Sequence, residues 1–349
     1  MIRPREGLGL RKGYHSPQLN VEVRLNTNES PFQLPDGFYR RLAEVTKTLA
    51  LNRYPDRSYF RVKEVLAEQC RVEPEMIFAA NGSNEVIQSI CLAYGGHGRK
   101  AMVIEPTYAM HSQIARHCGS EVDIFLREQP RNLGYAEFER NLTTSSPDMV
   151  FLCSPNNPTG ESLDQKIIDL AISNDDLAVV LDQAYVDFAS TPWRYISANN
   201  VLQSRTFSKA YALAGLRFGY LIASREVVEV LEEVVLPYHL DSMKQAAVLC
   251  ATEFAGQVVE AHAEIIAQRE KLIKELNALA VEAYPSEANF VLIDFGELDA
   301  NSLWNRLVDK SILVRNCSGW PGLKNHLRVT VGNADENQRF IEALSELLR

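Results

Sequence analysis

The sequence predicts an α/β protein in which a large unit, a mostly parallel sheet between helices, is followed by a smaller α+β unit. Three observations carry this reading. Short apolar runs alternate with helical patterns between about Asn81 and Ala223, two of those runs lead into residues able to do chemistry, and the rhythm changes after Pro237. Parallel strands covered by helices on both faces read as such an alternation.

The first thirty residues are polar and proline-interrupted, which predicts an arm packed on the body or on a second subunit. After Asn84 a helix is expected, because Val86, Ile87, Ile90, Cys91 and Tyr94 fall on one face, with Gly82 supplying the turn and Ser83 the cap. Apolar runs at 101–104, 149–153, 177–181, 201–207 and 220–223 predict strands. Beyond Pro237 a long helical stretch over 244–280 precedes β-like runs at 289–294, 312–314 and 327–331. The expected division is an arm over 1–30, a large domain over 31–240 and a small domain over 241–349 that the arm completes.

A chain of 349 residues exceeds what a single core holds, since such cores stop growing near roughly 250–300 residues. The 46% hydrophobic and 23% charged residues are those of an ordinary globular protein. A net charge of -9 argues against nucleic-acid or anionic-membrane partners. Cys70, Cys91, Cys118, Cys153, Cys250 and Cys317 show no paired spacing, so free thiols in a reducing compartment are expected rather than zinc or disulfides. With neither a signal-like segment nor a membrane-length apolar run, the sequence predicts a cytoplasmic protein.

The candidate chemistry begins at Ser208-Lys209-Ala210-Tyr211-Ala212-Leu213-Ala214-Gly215-Leu216-Arg217. Small and apolar neighbours desolvate a lysine and favour its neutral, nucleophilic amine, although most lysines are solvated surface groups. Ser208 and Arg217 add a hydroxyl and a guanidinium suited to a phosphate dianion. Asp182 ends the buried run 177–181, where ligands bind in open α/β sheets; a carboxylate there can pair with a protonated ring nitrogen, or merely cap the next turn. Ser154-Pro155-Asn156-Asn157-Pro158-Thr159-Gly160 is a rigid turn at another strand end, with Asn157 able to donate to a ring oxygen. Ala80-Asn81-Gly82-Ser83-Asn84-Glu85 opens a helix whose N–H groups can cradle phosphate, or reads as a plain N-cap.

Together these segments resemble the fold-type I, pyridoxal 5'-phosphate dependent aminotransferases of the class II subfamily, most closely the histidinol-phosphate branch. The resemblance extends over Leu25-Asn26-Thr27-Asn28-Glu29-Ser30-Pro31, Arg53-Tyr54-Pro55-Asp56, the turn 154–160, Asp182-Gln183-Ala184-Tyr185, the stretch 205–219 and Leu327-Arg328-Val329-Thr330-Val331-Gly332. It implies Lys209 as the Schiff-base lysine and proton shuttle, Asp182 as partner of the pyridine nitrogen, and Tyr185 and Asn157 at the ring's phenolic oxygen. It further implies Tyr108 on the ring face, and Ser83, Asn84, Thr206, Ser208 and Arg217 about the phosphate. Tyr54 would reach that phosphate from the other subunit of a homodimer. On the substrate side the implied residues are Asn28 and Arg328, with Arg315 and Tyr14 assisting when the anion is a phosphate. The implied reaction links L-histidinol phosphate and 2-oxoglutarate to imidazole-acetol phosphate and L-glutamate, a step of histidine biosynthesis.

Two departures stand out. Gln183 occupies a position where the family usually carries Glu, with its side chain expected to point away from that of Asp182, and His239 and Asp241 replace smaller or neutral residues near the cofactor-side turn. The other histidines (His15, His97, His111, His117, His262, His326) lack metal-like spacing and are expected at the surface or in the core. Competing readings are an aromatic or broad-range aminotransferase, a threonine-phosphate decarboxylase, and a PLP-binding regulator without catalysis. A dehydrogenase is disfavoured, because Gly7, Gly9 and Gly13 have the wrong spacing for a dinucleotide loop.

Overall fold

The computed structural model describes residues 17–349. In chain order the first half comprises β1 (Val23–Leu25), α1 (Asp36–Thr46), α2 (Phe60–Cys70), β2 (Ile77–Ala80), α3 (Ser83–Tyr94), β3 (Lys100–Glu105), α4 (Met110–His117), β4 (Glu121–Leu126), α5 (Tyr135–Ser145) and β5 (Met149–Cys153). There follow α6 (Gln165–Ile172), β6 (Ala178–Asp182), β7 (Val201–Thr206), β8 (Gly219–Ile222), α7 (Arg225–Val234), α8 (Ser242–Thr252) and α9 (Ala255–Asn277). The last elements are β9 (Glu282–Ala283), β10 (Phe290–Asp294), α10 (Ala300–Asp309), β11 (Ile312–Asn316), β12 (His326–Thr330) and α11 (Ala334–Leu347).

Seven strands form one sheet in the order β2-β8-β7-β6-β5-β3-β4, parallel except for β8, which runs antiparallel to both neighbours. Its central strands are unbroken apolar runs because both faces are covered. Val150, Leu152, Val179 and Leu181 pack with Phe138, Ile167 and Ile168 on one side. Met149, Phe151 and Val180 pack with Ile87, Ile90 and Ile114 on the other. Residues alternate between the faces at the strand period of two. Such a sheet presents its functional residues at the carboxyl ends of its strands, where Cys153, Asp182 and Thr206 lie.

The second sheet has the order β1-β11-β12-β10-β9, with β1 parallel to β11 and the other pairs antiparallel. The described part of the expected arm therefore contributes a strand, and the turn after it carries residues 26–30 toward the first sheet. The expected single helical stretch over 244–280 is two helices, α8 and α9, broken at Glu253 and Phe254. Phe254 leaves helical geometry at φ -108°, ψ 17° and sets its ring edge-on to Phe38 at 6.5 Å. Anchoring that side chain against α1 outweighs the helical propensity on either side. Val258 of α9 packs with α1, α2 and α8, whereas Ile265, Leu272 and Leu276 pack under the second sheet. The expected cap of α3 is also corrected: Gly82, at φ 88°, is the N-cap and Ser83 is the first helical residue.

Candidate active site

A cavity of about 300 Å³ opens where the carboxyl ends of β5, β6 and β7 meet the turn after β1 and strand β12. Twelve of the residues singled out in the sequence line it: Asn28, Ser83, Asn84, Tyr108, Asn157, Asp182, Tyr185, Thr206, Ser208, Lys209, Arg217 and Arg328. They come from segments as far apart in the chain as Asn28 and Arg328, so the fold, not local sequence, brings them together.

Lys209 follows β7 and its Nζ donates to the Thr27 carbonyl at 2.8 Å. Burial pushes its amine down to about 7, helped by the positive charges of Arg328 and Arg217 and opposed by Glu29. A large share of the neutral, nucleophilic form is thus present near pH 7.

Asp182, the last residue of β6, is 3% exposed. One carboxylate oxygen accepts the Ala184 N–H at 3.1 Å and the other lies 2.9 Å from Nε2 of His111. A carboxylate only accepts, so the imidazole donates from Nε2. The ring is fully buried, stacks on Phe151 at 4.9 Å, and leaves Nδ1 without a hydrogen-bond partner.

The Tyr185 hydroxyl accepts from Nδ2 of Asn28 at 2.9 Å and from Nδ2 of Asn157 at 3.4 Å. With its acceptor sites engaged, the phenolic proton is left to donate. Burial raises the Tyr185 pKa well above its ordinary value, more than Arg328 lowers it, so the phenol keeps that proton. Arg328 extends the network, donating through Nη1 to Oδ1 of Asn157 and through Nη2 to the Asn26 carbonyl at 2.8 Å. Its buried Nε has no partner.

An anion cradle occupies another part of the cavity. Thr206 Oγ1 lies 3.0 Å from Ser208 Oγ, and Arg217 Nη1 reaches the same oxygen at 3.4 Å. The first turn of α3 adds N–H groups that no capping side chain takes, and Tyr108 donates to Asn84 Oδ1 at 3.1 Å. Two glycines permit this closeness. A Cβ on Gly82 would lie 2.6 Å from Arg217 Nη2, and one on Gly219 would collide with the backbone of Gly82 and Ser83.

Two expected residues are not on the cavity wall. Tyr54 is 80% exposed and stacks on Tyr238 at 4.5 Å. Arg315 is buried with its guanidinium 5.9 Å from the Trp320 ring centre. Tyr14 lies outside the described residues. Gln183 points away from the cavity, its Oε1 accepting from Trp193 and Gln203. His239 and Asp241 do not line the cavity either: His239 Nε2 is 2.8 Å from the Ala79 carbonyl, and Asp241 caps α8.

Sequence reasoning assigned no role to Thr27, Glu29, Cys153 or His111, of which the first three line the cavity. The available signal for His111 was its place three residues after Tyr108, where the turn into α4 sets the two rings edge-on at 5.4 Å.

The family model for class I and II aminotransferases matches residues 21–344. The chain is 38% identical over 341 residues to the histidinol-phosphate aminotransferase of Caldanaerobacter subterraneus subsp. tengcongensis, covering 97% of this chain and 96% of that protein. To the enzyme of the same name from Paenarthrobacter aurescens it is 36% identical over 348 residues, 96% of this chain and 92% of that one. Among solved structures, the histidinol-phosphate aminotransferase of Sinorhizobium meliloti in complex with pyridoxal-5'-phosphate superposes with a TM-score of 0.87 at 21% identity, over 94% of this chain and 91% of that chain. The L-threonine-O-3-phosphate decarboxylase of Porphyromonas gingivalis superposes with a TM-score of 0.82 at 25% identity, over 94% of this chain and 99% of that chain.

Proposed function

The chain belongs to the class I and II aminotransferase family, and from that premise we propose that it moves an amino group between L-histidinol phosphate and 2-oxoglutarate, yielding imidazole-acetol phosphate and L-glutamate in histidine biosynthesis. Pyridoxal 5'-phosphate is the cofactor, and the residues present fit it. The site offers a near-neutral amine for an aldehyde, a buried carboxylate for a protonated ring nitrogen, a phenolic proton for a ring oxygen, and an anion cradle for a phosphate. When bound, it supplies the electron sink that accepts the pair left as the substrate's Cα–H bond breaks.

We assign the remaining work to side chains. Nζ of Lys209 would hold the cofactor at its aldehyde carbon and, as a free amine, would take the proton from the substrate's Cα and deliver it to that aldehyde carbon. Asp182, fixed by Ala184 and His111, holds the proton on the ring nitrogen. Tyr185 donates to the ring oxygen while Asn28 and Asn157 hold its own oxygen in place. Tyr108 covers the ring face, and Ser83, Asn84, Thr206, Ser208 and Arg217 receive the phosphate.

The single observation that carries the substrate assignment is the β11–β12 register, in which Arg315 lies directly opposite Arg328. Cross-strand partners share a sheet face, and like charges placed so repel. A phosphate dianion between or beside them relieves that repulsion, with Arg328 in contact, Arg315 behind it and Tyr14 assisting. The exposed Tyr54, beside exposed Leu51, Leu236 and Tyr238, supports a homodimer in which Tyr54 reaches the neighbouring cofactor phosphate. Six free cysteines support a reducing, cytoplasmic setting.

Substrate comparison tests this reading. Arg315→Ala should lower kcat/KM for L-histidinol phosphate by about tenfold, through loss of the positive charge behind Arg328, and that for glutamate by less than about threefold. Equal losses would favour a broad-range aminotransferase, and release of carbon dioxide from L-threonine phosphate would favour the decarboxylase.

A further inference from the structure

The α3 cradle works only if the turn that precedes it is held still, and residues from the α7–α8 connection and the first turn of α8 hold it. Asn81 lies between β2 and the Gly82–Ser83 start of α3. Its Oδ1 accepts from Nζ of Lys244, while its Nδ2 donates to the His239 carbonyl at 3.1 Å. Two residues earlier, the Ala79 carbonyl accepts from Nε2 of His239 at 2.8 Å. Both ends of the turn's one amide side chain are therefore tied to a segment about 160 residues away.

Lys244 is itself fixed. Its backbone N–H donates to Oδ1 of Asp241 at 2.8 Å, and its Nζ lies 3.4 Å from Oδ2 of the same residue. Its side chain is only 11% exposed, whereas that of Asp241 is 62% exposed. Water screens the carboxylate far more than the ammonium, so a net positive field remains directed at the turn. Lysines are rarely buried without a full partner. Lys244 does not line the cavity.

We propose that Lys244 is a positioning residue for the phosphate-binding turn, acting through Asn81 to hold the α3 N–H groups and to favour a dianion there. The proposal rests on the cofactor reading given above, and it assigns Lys244 no contact with the cofactor.

The test is a titration of cofactor-free protein with pyridoxal 5'-phosphate and with pyridoxal, which lacks the phosphate, followed by visible absorption. Lys244→Met should raise the Kd for pyridoxal 5'-phosphate about tenfold and leave that for pyridoxal within about twofold, a loss in the range of one hydrogen bond to a charged group. Lys244→Arg should restore most of the affinity. Asn81→Ala cuts the same link from the other end without altering the buried lysine, so it should reproduce the phosphate-selective loss, and adding Lys244→Met to it should cost little more. Equal weakening for both ligands, or unchanged affinity for pyridoxal 5'-phosphate in both single variants, would overturn the proposal. Failure of the unaltered protein to bind pyridoxal 5'-phosphate would overturn the cofactor reading instead.

Discussion

Nε2 of His111 lies 2.9 Å from Oδ2 of Asp182, in a pair with essentially no access to water. The imidazole is held from behind by Phe151 and from the side by Tyr108, whose ring stands edge-on at 5.4 Å. It donates to the buried carboxylate at the end of β6, so in the proposed site it would act on the cofactor's ring only through Asp182. Replacing it with phenylalanine keeps most of the packing and removes the donor. His111→Phe should reduce kcat by about 10–100-fold, the equivalent of roughly 1.4–3 kcal/mol for a buried hydrogen bond to a charged group. Steady-state kinetics at saturating cofactor checks this, and a kcat within twofold of the unaltered protein would reduce His111 to a packing residue.

The low pKa of Lys209 has a signature in stability. In the unfolded chain the amine keeps its proton up to about 10.5, whereas in the folded, cofactor-free protein it releases it at about 7. Between those values the unfolded state binds more protons, so the Lys209 contribution to stability rises with pH through this window and is lost as pH falls through about 7. Lys209→Met, which lacks the titration, should be the more stable protein at pH 7, and its advantage should shrink toward pH 10 by at most ~1.4 kcal/mol per pH unit. Urea unfolding of both cofactor-free proteins at pH 7, 8.5 and 10 measures this. A constant or widening gap contradicts it.

Gly219 is where the first residue of β8 passes against the start of α3. An added methyl group there meets the backbone of Gly82 and Ser83, which cannot step aside without moving the cradle. Gly219→Ala should destabilise the protein by ~1–3 kcal/mol and leave it purified with little cofactor. Gly256→Ala, where an added Cβ meets nothing within 4 Å, is the control and should change stability by less than about 0.5 kcal/mol. Thermal unfolding and the visible absorbance of the purified proteins read both effects.

The parts of the fold legible in the sequence are those whose cause is local. β5 and β6 read as unbroken apolar runs because they are covered on both faces, and Asp182 was placed at a strand end by that pattern alone. β4 is not legible in the sequence, because as an edge strand it mixes exposed and partly buried residues without a clean alternation over Glu121–Leu126. β1 was read as arm because three residues carry little periodicity, and what makes them a strand is pairing with Ile312 and its neighbours at the far end of the chain. The break between α8 and α9 depends on Phe254 meeting Phe38, again a distant contact.

The site divides the same way. Lys209, Ser208 and Arg217 share one short segment and were readable together. His111 and Asp182 are 71 positions apart, and nothing in either local sequence announces the other. Lys244 and Asn81, 163 positions apart, are a similar case. Glu29 and Thr27 flank the recognised Asn28, so their presence in the cavity follows from the course of the turn after β1 rather than from their chemistry.

The most direct test of the central claim is the absorption spectrum of the purified protein through both halves of the exchange. The protein should show a visible band from cofactor held on Lys209, its replacement by a near-ultraviolet band when L-histidinol phosphate is added, and its return on addition of 2-oxoglutarate. A band that answers glutamate or aromatic amino acids but not L-histidinol phosphate would contradict the substrate assignment, and no band after incubation with pyridoxal 5'-phosphate would contradict a cofactor bound on Lys209.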